Sequence, residues 1–224
     1  MGSARAELLR KVAEAVAVMP ADPVTRVAVD GVDGAGKTWF ADELGGVLES
    51  MGRSVIRASV DGFHNPKAIR YRRGRNSPEG FFYDSYDYAQ LEAALLAPLS
   101  PGGNRQYRVA VFDHVTDCPV DAPVRVAAPG DILLLDGIFL DRPELRGRWD
   151  YSIFLEVAFA VSVPRGAQRD GSSPDPGAAG NRRYVDGQKL YLATCEPWRF
   201  ASIVIDHDDL SAPRVVATRG DGVP

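Results

Sequence analysis

Eight consecutive residues carry the clearest chemistry. Gly31-Val32-Asp33-Gly34-Ala35-Gly36-Lys37-Thr38 matches the spacing G-x-x-x-x-G-K-[ST] at every fixed position. Its glycines let the backbone curl until several N–H groups face one set of phosphate oxygens. A helix starting near Gly36 adds the positive end of its dipole. Lys37 can reach β- and γ-phosphates, and the Thr38 hydroxyl can ligate Mg²⁺. Gly31, Asp33, Gly34, Ala35, Gly36, Lys37 and Thr38 are therefore the candidate nucleotide-binding residues. A chance glycine-rich turn needs no particular flanks. Here an apolar strand (24–29) enters the loop and a helical pattern (37–51) leaves it, with Gly52 as C-cap.

Two carboxylates stand at strand ends. Asp61 closes a predicted strand over 55–60, in Val60-Asp61-Gly62-Phe63-His64. In a doubly wound sheet, ligands sit beyond the carboxyl ends of strands, so Asp61 and the glycine-rich loop should share a crevice. There a carboxylate can take the proton of an attacking hydroxyl. The alternative is an ordinary turn or capping Asp. Asp136 ends the apolar run Ile132-Leu133-Leu134-Leu135, the position of a metal-holding carboxylate, or of a plain strand-end turn before Gly137.

Further along, cations and rings cluster. Lys67, Arg70, Arg72, Arg73 and Arg75 precede Phe81, Phe82, Tyr83, Tyr86 and Tyr88. Most of these suit a solvated loop packing its rings on the core. A subset can stack on a planar group or face a phosphate. Arg165 and Arg169 lie four apart, on one face if helical. Arg182 and Arg183 follow the low-complexity stretch 171–180, whose composition predicts mobility.

These residues need a frame to hold them. The apolar spacing of Leu8, Leu9, Val12, Val16 and Val18 predicts a helix before Pro20. Residues 108–112, 132–135, 151–157 and 201–205 read as further strands. Asp87 is placed to cap a helix through Leu91, Leu95 and Leu96. Residues 62–87 read as loop, 161–169 as a helix broken by Pro164 and Gly166, and 183–194 as a helix. Strands alternating with helices predict an α/β fold with a mostly parallel sheet, in one domain of 224 residues with a frayed tail over 208–224.

Composition narrows the function classes. Net charge is −4, against the basic balance of a general nucleic-acid binder, and no apolar run approaches a membrane span. Cys118 and Cys195 suit a reducing cytoplasm rather than a disulfide scaffold. The opening residues lack the apolar stretch of a signal peptide. Neither nucleic acid nor membrane is expected as a partner, and a homo-oligomer is left open. No Asn-Lys-x-Asp element supports a GTPase switch.

The order Gly31 to Thr38, Asp61-Gly62-Phe63-His64, Ser77-Pro78-Glu79-Gly80-Phe81 and Leu135-Asp136-Gly137 resembles the uridine kinase/phosphoribulokinase family of P-loop kinases, above all its bacterial uridine kinase-like branch. The resemblance spans about residues 24–205. It implies a P-loop NTPase fold of the nucleoside/nucleotide-kinase type. In that fold a mostly parallel five-stranded sheet carries helices on both faces and a small lid, here 165–183. It also implies ATP, Mg²⁺ on Thr38 and Asp136, and transfer to a hydroxyl of a small molecule. Asp61 would be the base, with Lys37, Arg165 and Arg169 stabilising the transferred group and Arg169 also on the nucleotide. The acceptor would meet Asp61, Phe63, His64, Tyr83, Phe112, Asp113, His114 and Arg182. Phe112-Asp113-His114 departs from the family in having Phe for Tyr and in placing His directly after Asp. Pantothenate- and sugar-type kinases share the Asp-Gly-Phe element. They stay open as alternatives, as does a non-catalytic nucleotide-binding regulator.

Overall fold

The computed structural model describes residues 3–19 and 22–219. Helix α1 (Ser3–Ala17) buries Leu8, Leu9, Val12, Ala13 and Val16; Val18 lies beyond it, exposed. Strand β1 (Thr25–Gly31) is buried throughout and feeds α2 (Lys37–Ser50). Strand β2 (Val55–Ser59) stops one residue early, because Val60–Phe63 tightens into a 3₁₀ turn.

The expected loop over 62–87 is partly helical, with α3 (Lys67–Arg70) and α4 (Pro78–Asp84). The local cause is legible afterwards: Ser77 accepts the Gly80 N–H at 3.0 Å, and Pro78 occupies the first helical position. Asp87 caps α5 (Tyr88–Leu91), which runs through a π-turn at Glu92–Leu96 into α6 (Ala97–Leu99).

The single strand expected over 108–112 is absent. Four two-residue strands stand there: β3 (Gln106–Tyr107), β4 (Phe112–Asp113), β5 (Cys118–Pro119) and β6 (Arg125–Val126), paired β3 with β6 and β4 with β5. The intervening backbone is used elsewhere: Arg108 N–H donates to Ala94 O (2.8 Å) and Val111 N–H to Gly62 O (2.9 Å).

Then follow β7 (Ile132–Gly137), β8 (Tyr151–Glu156), α7 (Phe159–Asp170), α8 (Arg182–Cys195), β9 (Ile203–Asp206) and β10 (Arg214–Thr218). Helix α7 is continuous through Pro164 and Gly166. Proline removes only one backbone donor there, and Gly171 closes the helix in the left-handed region (φ 73°).

The main sheet has six strands in the order β10-β9-β8-β1-β7-β2, not five. The sixth, antiparallel β10, is built from the segment expected to fray. It pairs with β9, and Arg214 Nη2 meets Asp206 Oδ2 at 2.7 Å. Residues 220–224 of that tail lie outside the described residues.

Alternating strand residues divide the core. Val27, Val29, Leu134 and Leu155 pack beneath α1 and α2, while Ala28, Leu133 and Leu135 face the side of α4, α5 and α8. No described helix is long and apolar enough to cross a membrane. Both cysteines are free thiols, Cys118 exposed and Cys195 buried.

Candidate active site

Three parallel strands deliver the central groups. In register, Asp136 at the end of β7 lies beside Val29 of β1 and Ser59 of β2, so the P-loop, Asp136 and Asp61 emerge along one edge. They open into a cavity of about 840 Å³ lined by Lys37, Thr38, Asp61, Tyr86, Asp136 and Arg169, among others.

The loop has the expected cradle shape. Gly36 sits at φ 85° as the residue before α2, and the first N–H groups of that helix have no intrahelical acceptor. Lys37 Nζ curls back to Val32 O at 2.8 Å. The Thr38 hydroxyl donates to Asp136 Oδ2 at 2.8 Å, while Arg57 Nη2 reaches Asp136 Oδ1 at 3.1 Å. A hydroxyl and a carboxylate in contact are hard oxygen donors. They fit Mg²⁺, which takes one or two protein oxygens and fills its other positions with phosphate and water. Among the described residues there is no cluster of three acidic, His or Cys side chains to make a closed metal cage.

Asp33 lines the cavity and also ties the loop to its neighbour helix. Its N–H donates to Gln188 Oε1, and Gln188 Nε2 donates to its Oδ2 at 3.3 Å, tying the loop to α8. Burial pushes the Asp33 carboxyl above the usual range, opposed by the nearby Lys37 charge. Behind the loop, Asp30 accepts from Gly31 N–H (2.7 Å), Asp141 N–H (3.2 Å) and the Tyr191 hydroxyl. Burial pushes Asp30 up to about 6.

On the acceptor side Asp61 is open to solvent, its side chain 58% exposed. The Tyr86 hydroxyl donates to its Oδ1 at 3.1 Å. Tyr86 is buried, which drives its phenol pKa well up and keeps it a donor. His64 stacks on His114 with ring centres 4.5 Å apart, and its Nδ1 lies 3.0 Å from Asp61 O. Burial lowers the pKa of His64. Asp61, Tyr86, His64 and His114 thus form one contiguous cluster, of which Asp61 and Tyr86 line the cavity.

Other candidates lie elsewhere. Phe63 is fully buried in the core, because the turn that exposes Asp61 points the residue two further on inward. Phe112 is likewise buried. Asp113 spends its carboxylate on its own turn, accepting Val115 N–H (2.9 Å) and the Thr116 hydroxyl (2.7 Å). Tyr83 packs on Phe82 and beneath Arg73. Arg182 points outward and pairs with Asp186 at 3.4 Å.

The basic cluster is largely neutralised internally, Arg70 on Asp117 and both Arg72 and Arg73 on the buried Asp84. The two arginines of α7 also part company. Arg165 Nη1 donates to His207 O (3.1 Å) and Nη2 to Asp208 O. Both line the cavity, but the Arg169 side chain makes no hydrogen bond or ion pair among the described residues. Arg183, the last residue of the expected lid, is buried and donates to the carbonyls of Arg70, Arg75 and Ser77. Tyr86, Gln188 and Arg57 had no sequence signal beyond their type, since each acts through a partner distant in the chain.

No family model and no curated protein matches the sequence. Solved structures do match. A structure described as a possible uridine kinase from Bacillus stearothermophilus superposes with a TM-score of 0.70 at 22% identity, over 89% of this chain and 97% of its own. The fold is that of the P-loop kinases. Phosphoribulokinase from Rhodobacter spheroides gives a TM-score of 0.59 at 13% identity, covering 90% of this chain and 83% of its own. D-glycerate 3-kinase from Cryptococcus neoformans gives 0.58 at 11%, covering 95% and 98%. In this P-loop kinase fold the cavity described above lies at the carboxyl edge of the parallel strands, where α/β sheets bind ligands.

Proposed function

We propose that this protein transfers the γ-phosphoryl group of ATP to a hydroxyl of a small molecule, with a nucleoside as acceptor. One observation carries the reading: the Asp61 carboxylate and the Lys37–Thr38–Asp136 group line the same cavity. Phosphoryl transfer needs these two parts in one space, a base for the acceptor and positive or metal-holding groups for the phosphates.

In this scheme Asp61 takes the acceptor's proton as its oxygen bonds to the γ-phosphorus and the bond to the β-phosphate oxygen breaks, leaving ADP. The Tyr86 hydroxyl holds the Asp61 carboxylate in place. Lys37 and Arg169 face charge that develops on the transferred group. Thr38 and Asp136 would hold Mg²⁺, which would neutralise phosphate charge when bound. The stacked His64–His114 pair supports a planar acceptor. A sugar- or pantothenate-type hydroxyl is the second reading, favoured by the burial of Phe112, which removes one ring from the acceptor wall. We place the enzyme in the cytoplasm, a reading supported by its two free thiols.

The test is ATP consumption with Mg²⁺ across nucleosides, pantothenate and simple sugars. Acceptor-dependent ADP release that disappears in Lys37→Ala is expected. ATP binding without consumption for any acceptor would favour a regulator instead.

A further inference from the structure

His207 follows β9 and is fully buried against the P-loop, 172 residues away in sequence from its partner Ala35. Its Nδ1 lies 2.7 Å from Ala35 O, and its Nε2 lies 2.9 Å from Arg5 Nη1. Neither neighbour allows a choice of tautomer. A carbonyl oxygen only accepts and a guanidinium only donates, so Nδ1 carries the proton and Nε2 keeps its lone pair. Arg5 is itself fixed by Glu43 (2.6 Å) and by Leu210 O (2.9 Å). The ring also stands edge-on to Phe40, and a Cβ on Gly36 would meet its Cε1 at 3.3 Å.

The peptide plane turns this contact into alignment. The Ala35 carbonyl and the Gly36 N–H belong to one trans peptide and point in opposite directions. Drawing the carbonyl toward His207 therefore aims the Gly36 N–H away from it, into the loop. We propose that His207, held in its Nδ1–H form by Arg5, is a positioning residue that sets the P-loop for nucleotide phosphate. The proposal rests on the kinase reading for its ligand.

It also has a pH consequence. A doubly protonated ring would press an N–H against Arg5 and lose that bond. The charged groups around His207 are Arg5 on α1, Glu43 on α2, Arg165 on α7, and Asp206 and Asp208 on either side in the chain. Burial lowers the imidazole pKa, with Arg5 and Arg165 acting the same way and Glu43 opposing. The Arg5–His207 bond is intact at neutral pH and is lost on acidification, which frees the ring from the group that holds it against the Ala35 carbonyl.

Three variants and one spectrum test this. His207→Asn keeps a neutral donor where Nδ1 stands, and His207→Leu keeps bulk without a donor. Arg5→Gln replaces the donor-only group that fixes the tautomer with an amide that can also accept. In His207→Leu the KM for ATP should rise roughly tenfold or more, the scale of a weakened hydrogen bond to a charged group, with kcat changed less. His207→Asn should stay within about threefold of the parent. The parent KM should rise on acidification, and that rise should be absent in His207→Asn. Nitrogen NMR of the parent should show His207 protonated at Nδ1, and Arg5→Gln should weaken that preference. A proton on Nε2 overturns the proposal even if His207→Leu does not fold. If the parent binds ATP and His207→Leu binds it equally well, the positioning role alone falls. A parent that binds no ATP removes the kinase reading and this role together.

Discussion

Replacing Gly34 with Ala probes how closely α7 rests on the P-loop. Gly34 has φ 74°, and a Cβ built there stands 2.9 Å from the carbonyl carbon of Ser162, nearer still to its oxygen, and 3.3 Å from the Gly166 nitrogen. Ordinary carbon contacts are about 3.5–4.0 Å, so α7 must retreat by roughly 1 Å. The left-handed backbone costs Ala about 1–2 kcal/mol. At about 2–4 °C per kcal/mol for a chain of this size, Tm should fall by about 2–8 °C. The retreat also moves Arg169, which α7 carries to the cavity. A displacement near 1 Å can cost about 10²-fold in turnover. Melting curves and steady-state kinetics measure both. Gly166→Ala is the control: its Cβ meets nothing within 4 Å, and a helical Ala should hold or raise Tm. Parental Tm and turnover in Gly34→Ala would refute the close contact and the route from it to Arg169.

Asp61→Asn should lower turnover by roughly 10²–10⁴ with ATP affinity and Tm near the parent's, because the side chain is exposed and Asn still accepts from Tyr86. Turnover within a few-fold of the parent would remove Asp61 from the mechanism. Arg169→Ala should reduce turnover without lowering Tm, whereas Arg165→Ala should lower Tm, since of these two arginines Arg165 is the one that ties α7 to the segment after β9; the same Tm for both would contradict this division. Asp141 is buried beside Asp30 with an unpartnered Oδ2, and burial raises its carboxyl from 3.8 to about 8. The folded state therefore keeps a proton that the unfolded chain releases, and stability from this group falls as pH rises from about 4 to about 8. Asp141→Asn should gain Tm over the parent across that window and hold the gain above it; equal Tm profiles would show that Asp141 ionises freely when folded.

What the sequence determined on its own is local. The P-loop is eight contiguous residues whose glycines, lysine and following helix act within one turn of each other. The strands at 25–31, 132–137 and 151–156 are buried on both faces, so they show as apolar runs without any partner being known. Asp87 caps its own helix through Gln90 N–H, three residues away. Tertiary structure decided whatever depends on what a residue meets. Strand β10 is exposed or half-buried along its whole length and its apolar run is only Val215-Val216-Ala217, so its pairing with β9 is what reveals it. Asp61 and Phe63 share one short turn, yet one opens into the cavity and the other is sealed in the core, a choice made by the turn's orientation on the sheet. Arg165 and Arg169 are equivalent by spacing, but the chain after β9 takes one and leaves the other. Tyr86 reaches Asp61 across 25 residues, and His207 reaches Ala35 across 172. Such contacts exist only once the parallel strands have brought distant segments to one edge, and no local pattern of residue types encodes that distance.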